Sequence, residues 1–262
     1  MTGTRFVSDW FKRLVTVGGT GVSFVIFMVW GFLLGVVLFP VIRIFKGHRA
    51  RSIFHGQVRL AWRVFIRIMQ LTGGFRSIRV EGVHHLPKDK PSLLICNHLT
   101  LIDIVVLGAY VRDFNCVVKM GLWNHPFFGS VVKACDFIPN QASEEFLSEC
   151  KRSFAEKRPL IVFPQGERCP PDAPVTFQRG AAQIAVRVGS GVPIHPVIYR
   201  CEPLSLAKGM PWYKVPPMPR LTVTIQPELP IPQNVLDDTV IPLKVRKLTA
   251  FWEQYFEQQI HR

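Results

Sequence analysis

Residues 93–103 read Leu-Leu-Ile-Cys-Asn-His-Leu-Thr-Leu-Ile-Asp. An apolar run delivers Asn97-His98 into a polar turn, and Asp103 follows five residues after the histidine. On one continuous helix that spacing would set the imidazole and the carboxylate on different faces. If a turn separates them, the first helical turn can swing Asp103 under His98. The pair would then be an oriented general base, the carboxylate fixing the tautomer and stabilising the imidazolium. The same spacing has a second meaning. Thr100-x-x-Asp103 approximates a capping box, in which the acid only ties off a helix. Spacing alone leaves both open.

Two further segments have the same build. Leu160–Phe163 is an apolar strand that feeds Pro164-Gln165-Gly166-Glu167-Arg168, with a glycine for close backbone approach and an arginine suited to a phosphate or carboxylate. Val192-Pro193-Ile194-His195-Pro196-Val197 is a strand bracketed by prolines, which suggests a rigid edge rather than a central ladder position. The six cysteines stand singly, without a Cys-x-x-Cys pair. That argues for free thiols in a reducing compartment and against a disulfide scaffold or zinc ribbon. The eight histidines form no ligand-spaced cluster, so no metal is expected.

The elements that must hold these residues alternate in type. Strands are expected at Ser77–Val80, Ser92–Cys96, Phe114–Met120, Phe137–Ile138, Leu160–Phe163, Ile194–Tyr199 and Leu221–Ile225. Helices are expected at Leu101–Val111, Phe127–Ala134, Ser143–Lys157, Arg179–Val188 and Val240–Ile260. This βαβ rhythm implies an α/β domain over 75–262, with a mostly parallel sheet flanked by helices and ligands at the carboxyl ends of the strands.

Ahead of that domain, Leu14 to Ile42 contains no Asp, Glu, Lys, Arg or His. A helix needs ~20 apolar residues to cross the hydrocarbon core, so the run is long enough to be embedded. Gly31, Gly35 and Pro40 leave open a kinked helix or a shallow hairpin that never crosses. Residues 1–50 are therefore expected to anchor the chain in a membrane. Basic residues are heavier after the run (Arg43, Lys46, Arg49, Arg51, Arg59) than before it (Arg5, Lys12, Arg13). If the run spans, that bias places the C-terminal domain on the cytoplasmic face. Over 51–74, Arg51, Arg59, Arg63 and Arg67 recur in multiples of four among Ile53, Phe54, Trp62 and Phe65. This suits an amphipathic helix in the headgroup layer of anionic lipids, or a solvated face on a core helix.

The whole chain has 262 residues, 48% hydrophobic, with 32 Lys+Arg against 18 Asp+Glu, a net charge of +14. Its mean hydropathy of +0.20 excludes a disordered chain. Such a charge calls for an anionic partner; the apolar segment favours a membrane, and no nucleic-acid motif is present.

Taken together, these segments resemble the 1-acylglycerol-3-phosphate (lysophospholipid) acyltransferase family, in its bacterial form. The likeness rests on five blocks in order over 77–200: Asn97-His98 to Asp103; Lys119 ahead of Pro126-Phe127-Phe128-Gly129; Phe163 to Arg168; Phe177-Gln178-Arg179-Gly180-Ala181; and Val192–Val197. It implies a glycerolipid acyltransferase-like fold in an inner-membrane protein, without cofactor or covalent acyl-enzyme. An acyl group would pass from acyl-CoA or acyl carrier protein to the hydroxyl of a lysolipid, 1-acylglycerol-3-phosphate first. His98 would take the hydroxyl proton and Asp103 would hold His98. Asn97, Lys119, Gln165, Gly166, Glu167, Arg168 and Arg179 would bind substrate.

This chain departs from the family pattern in carrying Gln165 for Glu, Glu167 for Thr and Asn140 for Arg. Those departures admit an acceptor without glycerol phosphate, such as a lyso-ornithine or polyene-type lipid, or a non-catalytic lipid-binding relative.

Overall fold

Residues 3–38, 41, 48–126, 128–141 and 144–260 are described by the computed structural model. Phe127, Ser143, Pro40, Ile42, Arg43 and Lys46, on which parts of the expectations fall, lie outside them.

The strands are β1 (Ser77–Glu81), β2 (Ser92–Cys96), β3 (Asn115–Val118), β4 (Ile138–Pro139), β5 (Pro159–Val162), β6 (Ile194–Glu202) and β7 (Arg220–Ile225). They form one sheet in the order β1-β7-β6-β2-β5-β3-β4. Every pairing is parallel except β6 with β7. The expected mostly parallel sheet is present. Its two faces follow from the period-2 alternation of strand side chains. In β2, Leu94 and Cys96 enter one core, and Leu93 and Ile95 the other.

The helices are α1 (Gly3–Leu33), α2 (His48–Leu71), α3 (Asp103–Gly108), α4 (Met120–Trp123), α5 (Gly129–Ala134), α6 (Glu144–Ala155), α7 (Gly180–Arg187), α8 (Gln233–Leu236) and α9 (Ile241–Ile260). One face of the sheet carries α2 and α3, with Trp62, Phe65, Met69 and Val106 buried against it. The other carries α6, α7 and α9, with Phe154, Ile184, Trp252 and Phe256.

Two strand expectations are corrected. Met120 opens α4 and β3 stops at Val118. The proline-bracketed strand is not an edge: β6 lies between β7 and β2. The ladder to β7 begins only at Val197 opposite Ile225. Pro196 therefore sits just before that ladder, where its carbonyl accepts Gln226 N–H at 2.8 Å and no donor is required of it.

The segment Asp9–Val37 is long and apolar enough to cross a membrane by length and composition. One face of α1 is nevertheless packed on the protein. Thr16, Thr20 and Ser23 are buried along a narrow seam. Thr16 Oγ1 accepts Met218 N–H at 3.0 Å, and Thr72 Oγ1 donates to Gly19 O at 3.2 Å. A Cβ at Gly19 would fall 2.2 Å from Thr72 O, so this approach requires glycine. Farther along, Phe27 stacks on Phe65 at 4.7 Å. The opposite face leaves Trp10, Phe11, Leu14, Val25, Val29 and Phe32 exposed.

The arginine stripe on α2 is also corrected. A spacing of four drifts by about 40° per step, and eight residues separate Arg51 from Arg59. Arg51 accordingly turns toward the domain and pairs with Glu156 at 2.8 Å, while Arg63 and Arg67 stay exposed. Next to Arg51, the fully buried Arg158 donates to Phe114 O at 3.0 Å, pairs with Asp136 at 3.4 Å and lies 3.0 Å from His55 Nε2, which also meets Cys135 O at 2.9 Å. This cluster ties α2 to the sheet.

Burial, with the Arg158 charge beside it, lowers the His55 pKa from 6.5 to about 4. Between those values the unfolded chain binds a proton that the fold refuses, so stability falls as pH drops from 6.5 toward 4. The loss from this residue should be about 3 kcal/mol. Thermal denaturation across that range should show His55→Gln, which is polar but takes up no proton, losing less than wild type. Parallel curves would remove His55 as the cause.

Candidate active site

β2 lies between β6 and β5 and ends at Cys96, so the residues that follow emerge at the carboxyl edge of the sheet's middle. Asn97 still belongs to the ladder in effect. Its Nδ2 donates to Tyr199 O at 3.1 Å and its Oδ1 accepts Tyr199 N–H at 2.7 Å. It is fully buried, with both ends of its amide engaged. Expected among the substrate-binding residues, Asn97 is instead the bolt that fixes where the chain turns.

Beyond that bolt the chain folds over Asp103. Asp103 Oδ2 accepts from His98 Nδ1–H at 2.7 Å, from Leu99 N–H at 2.7 Å and from Thr100 N–H at 2.9 Å. Thr100 Oγ1 donates to Oδ1 at 2.5 Å. Asp103 is wholly buried and opens α3. The capping contact and the histidine brace are thus one arrangement, made by the same carboxylate. It also explains why α3 begins at Asp103 rather than Leu101: the preceding backbone is bent around the acid. Tyr199 Oη donates to Asp103 O at 3.1 Å, and burial pushes its hydroxyl well above the usual range, which keeps it a donor.

With Nδ1 committed, His98 offers Nε2 as its free ring nitrogen. The ring rests on Phe163 with centroids 4.6 Å apart. His98 side-chain exposure is 22%, at the wall of a cavity of about 560 Å³. Phe163 and Gly166 stand near His98, while Phe24, Trp62, Phe65 and Val132 line apolar walls drawn from α1, α2 and α5.

The neighbouring loop holds His98 from both sides. His98 N–H donates to Gln165 Oε1 at 2.7 Å, and Cys169 N–H donates to His98 O at 2.8 Å. An amide at 165 therefore supplies the acceptor that this position needs, without a charge. Gly166 has φ 72°, and a Cβ there would lie 2.7 Å from Gln178 Nε2. Arg168 is turned inward: Nη1 donates to Leu206 O at 2.9 Å and Ala207 O at 3.2 Å, so this arm braces a loop. Glu167 pairs with Lys208 at 2.6 Å. Lys119 is exposed on the cavity wall, and Asn140 lines it too. Arg179 is exposed at the start of α7, beside the lining residues Gln178 and Gly180.

The sequence paired Thr100 with the acid only as a helix cap, and it did not point to Tyr199 as the acid's backstop or to Gln178 as a wall. Only Thr100 carried a signal, in its capping-box spacing. Cys96 and Cys116 lie under the site, and burial pushes both thiols far up, which leaves them poor nucleophiles.

Residues 77–200 match the model of the acyltransferase family. A chloroplastic 1-acyl-sn-glycerol-3-phosphate acyltransferase of Arabidopsis thaliana is 24% identical over 182 residues, 67% of this chain and 48% of that one. The enzyme of the same name from Pseudomonas aeruginosa is 25% identical over 143 residues, 52% of this chain and 54% of that one. The chain spans about half the length of the curated relatives it matches. In fold, it is similar to the crystal structure of PlsC, the 1-acyl-sn-glycerophosphate acyltransferase of Thermotoga maritima. The TM-score is 0.66 at 18% identity, over 98% of this chain and 96% of that one.

Replacing Asp103 by Asn sets an NH₂ group or a weaker acceptor against four donors. Asp103→Asn should lower stability by about 1–3 kcal/mol and abolish the low-field Nδ1–H resonance of His98. Thr100→Val should cost less and keep the resonance. A resonance that survives in Asp103→Asn would show that the brace is not what holds the ring.

Proposed function

We propose that this domain transfers an acyl group from a thioester, acyl-CoA or acyl carrier protein, to the hydroxyl of a lysolipid. The observation that carries this reading is His98, braced by Asp103 at 2.7 Å and set at the wall of a mostly apolar cavity of about 560 Å³. His98 Nε2 takes the acceptor's hydroxyl proton as the oxygen attacks the thioester carbonyl. The carbon–sulfur bond then breaks, and the imidazolium returns the proton to the departing thiolate. The apolar cavity holds the acyl chain, each buried methylene contributing ~0.8 kcal/mol.

The names of the relatives support a 1-acylglycerol-3-phosphate acceptor. Asn140 on the cavity wall and the inward-turned Arg168 favour a second reading, an acceptor without a phosphate monoester.

We also read α1 as lying in the membrane surface rather than crossing it. Its packed face runs from Thr16 to Leu34, about 27 Å of helix, nearly the thickness of the hydrocarbon core. Crossing would draw Thr72, Met218 and their loops into lipid. The exposed face of α1 meets the acyl region instead, with Arg63 and Arg67 at the level of anionic phosphates on the cytoplasmic leaflet.

Full-length protein in neutral detergent, given acyl-CoA or acyl carrier protein and a panel of lysolipids, should release free thiol. His98→Ala should slow release by about 10²–10⁴-fold. Equal rates would overturn the assignment. Val58 is buried on α2 and lines the cavity, so Val58→Trp should shift the preferred donor toward shorter chains. An unchanged chain-length profile would detach that cavity from the acyl group.

A further inference from the structure

The loops on either side of the His98–Leu101 turn are joined at their tips by an ion pair. One loop, Gln165 to Cys169, holds the His98 backbone from both sides. The other follows β6: Leu101 N–H donates to Leu206 O at 3.0 Å, and Arg168 binds Leu206 O and Ala207 O. Between them, Lys208 Nζ meets Glu167 Oε2 at 2.6 Å, with side chains 57% and 50% exposed. Neither group is buried in the core, and Glu167 directly follows Gly166, which lines the cavity together with His98.

We infer that Glu167 and Lys208 set which acceptor head groups the site admits, disfavouring a phosphate monoester and favouring an uncharged or zwitterionic head group. This rests on the acyl-transfer reading above and deepens it. A phosphate monoester carries roughly −1.5 to −2 charges near neutral pH. Here Lys208 is already paired with Glu167, and Nη1 of Arg168 is spent on carbonyls. Lys119 on the cavity wall acts on the Glu167 carboxylate as well. An anionic head group must therefore compete with Glu167 for the same cations, or lie beside a like charge. A monoacylglycerol meets no such competitor.

The charges can be changed singly. Wild type, Glu167→Gln, Lys208→Gln and the double variant would be assayed as full-length protein in neutral mixed micelles. Lysophosphatidate, lysophosphatidylcholine and monoacylglycerol of one chain length would be compared at equal mole fraction. The readout is the ratio of kcat/KM for lysophosphatidate over that for monoacylglycerol. Glu167→Gln should raise this ratio about 3–10-fold, the effect of one charge acting over several ångströms at a solvated site. Lys208→Gln should lower it by a similar factor, and the neutral double variant should return to within about twofold of wild type. High salt should shrink each change. Lysophosphatidylcholine should respond less than lysophosphatidate. A ratio unmoved by Glu167→Gln, or moved the same way by both single variants, would overturn the inference while leaving acyl transfer intact. If wild type acylates no acceptor above the His98→Ala background, the acyl-transfer reading falls and this one with it.

Discussion

A buried carboxylate that gathers four donors is the constraint on which the rest of the molecule turns. Placing Asp103 out of water is costly unless its lone pairs are filled. Here Leu99 N–H, Thr100 N–H, Thr100 Oγ1–H and His98 Nδ1–H fill them. To bring all four to one side chain, the backbone after β2 must bend tightly and helix α3 must start late. The same bend aims His98 at the cavity. The charged brace and the local fold are therefore one structure, and neither survives without the other.

Around that bend, the molecule is built to stop the histidine from drifting. Asn97 pins the turn to Tyr199, the hydroxyl of Tyr199 supports the backbone of Asp103, and Gln165 with Cys169 clamp the main chain of His98. All are backbone contacts, which places little demand on the chemistry of the side chains used. That is why an uncharged Gln165 serves. On the outer side, α1 and α2 close the cavity with aromatic and aliphatic side chains, and the Arg158 cluster fastens α2 at its amino-terminal half. The two long N-terminal helices are thereby also a wall of the cavity that His98 faces.

Much of this was legible in the chain. The alternation of short apolar strands with helical stretches gave the α/β class, because period-2 and period-3.6 patterns reflect one-sided burial that any such fold must satisfy. Thr100 and Asp103 were visible as a pair, and so was the ambiguity between cap and brace. Two readings failed for a shared reason. Arg51 joined a stripe by its spacing, and Pro196 implied an edge by its missing donor. Each depends on what faces the residue across space: Glu156 for Arg51, the end of β7 for Pro196.

By itself the sequence determined what depends on neighbours along the chain: strand and helix rhythm, the long apolar segment, and the acid near enough to the histidine to reach it by one turn. Only the tertiary structure decided which partner each charge found. Side-chain charges act over a few ångströms in directions set by packing, and Glu167 meets Lys208 across 41 residues of chain. No local pattern records such a meeting, so the pairing of these two charges came from the fold.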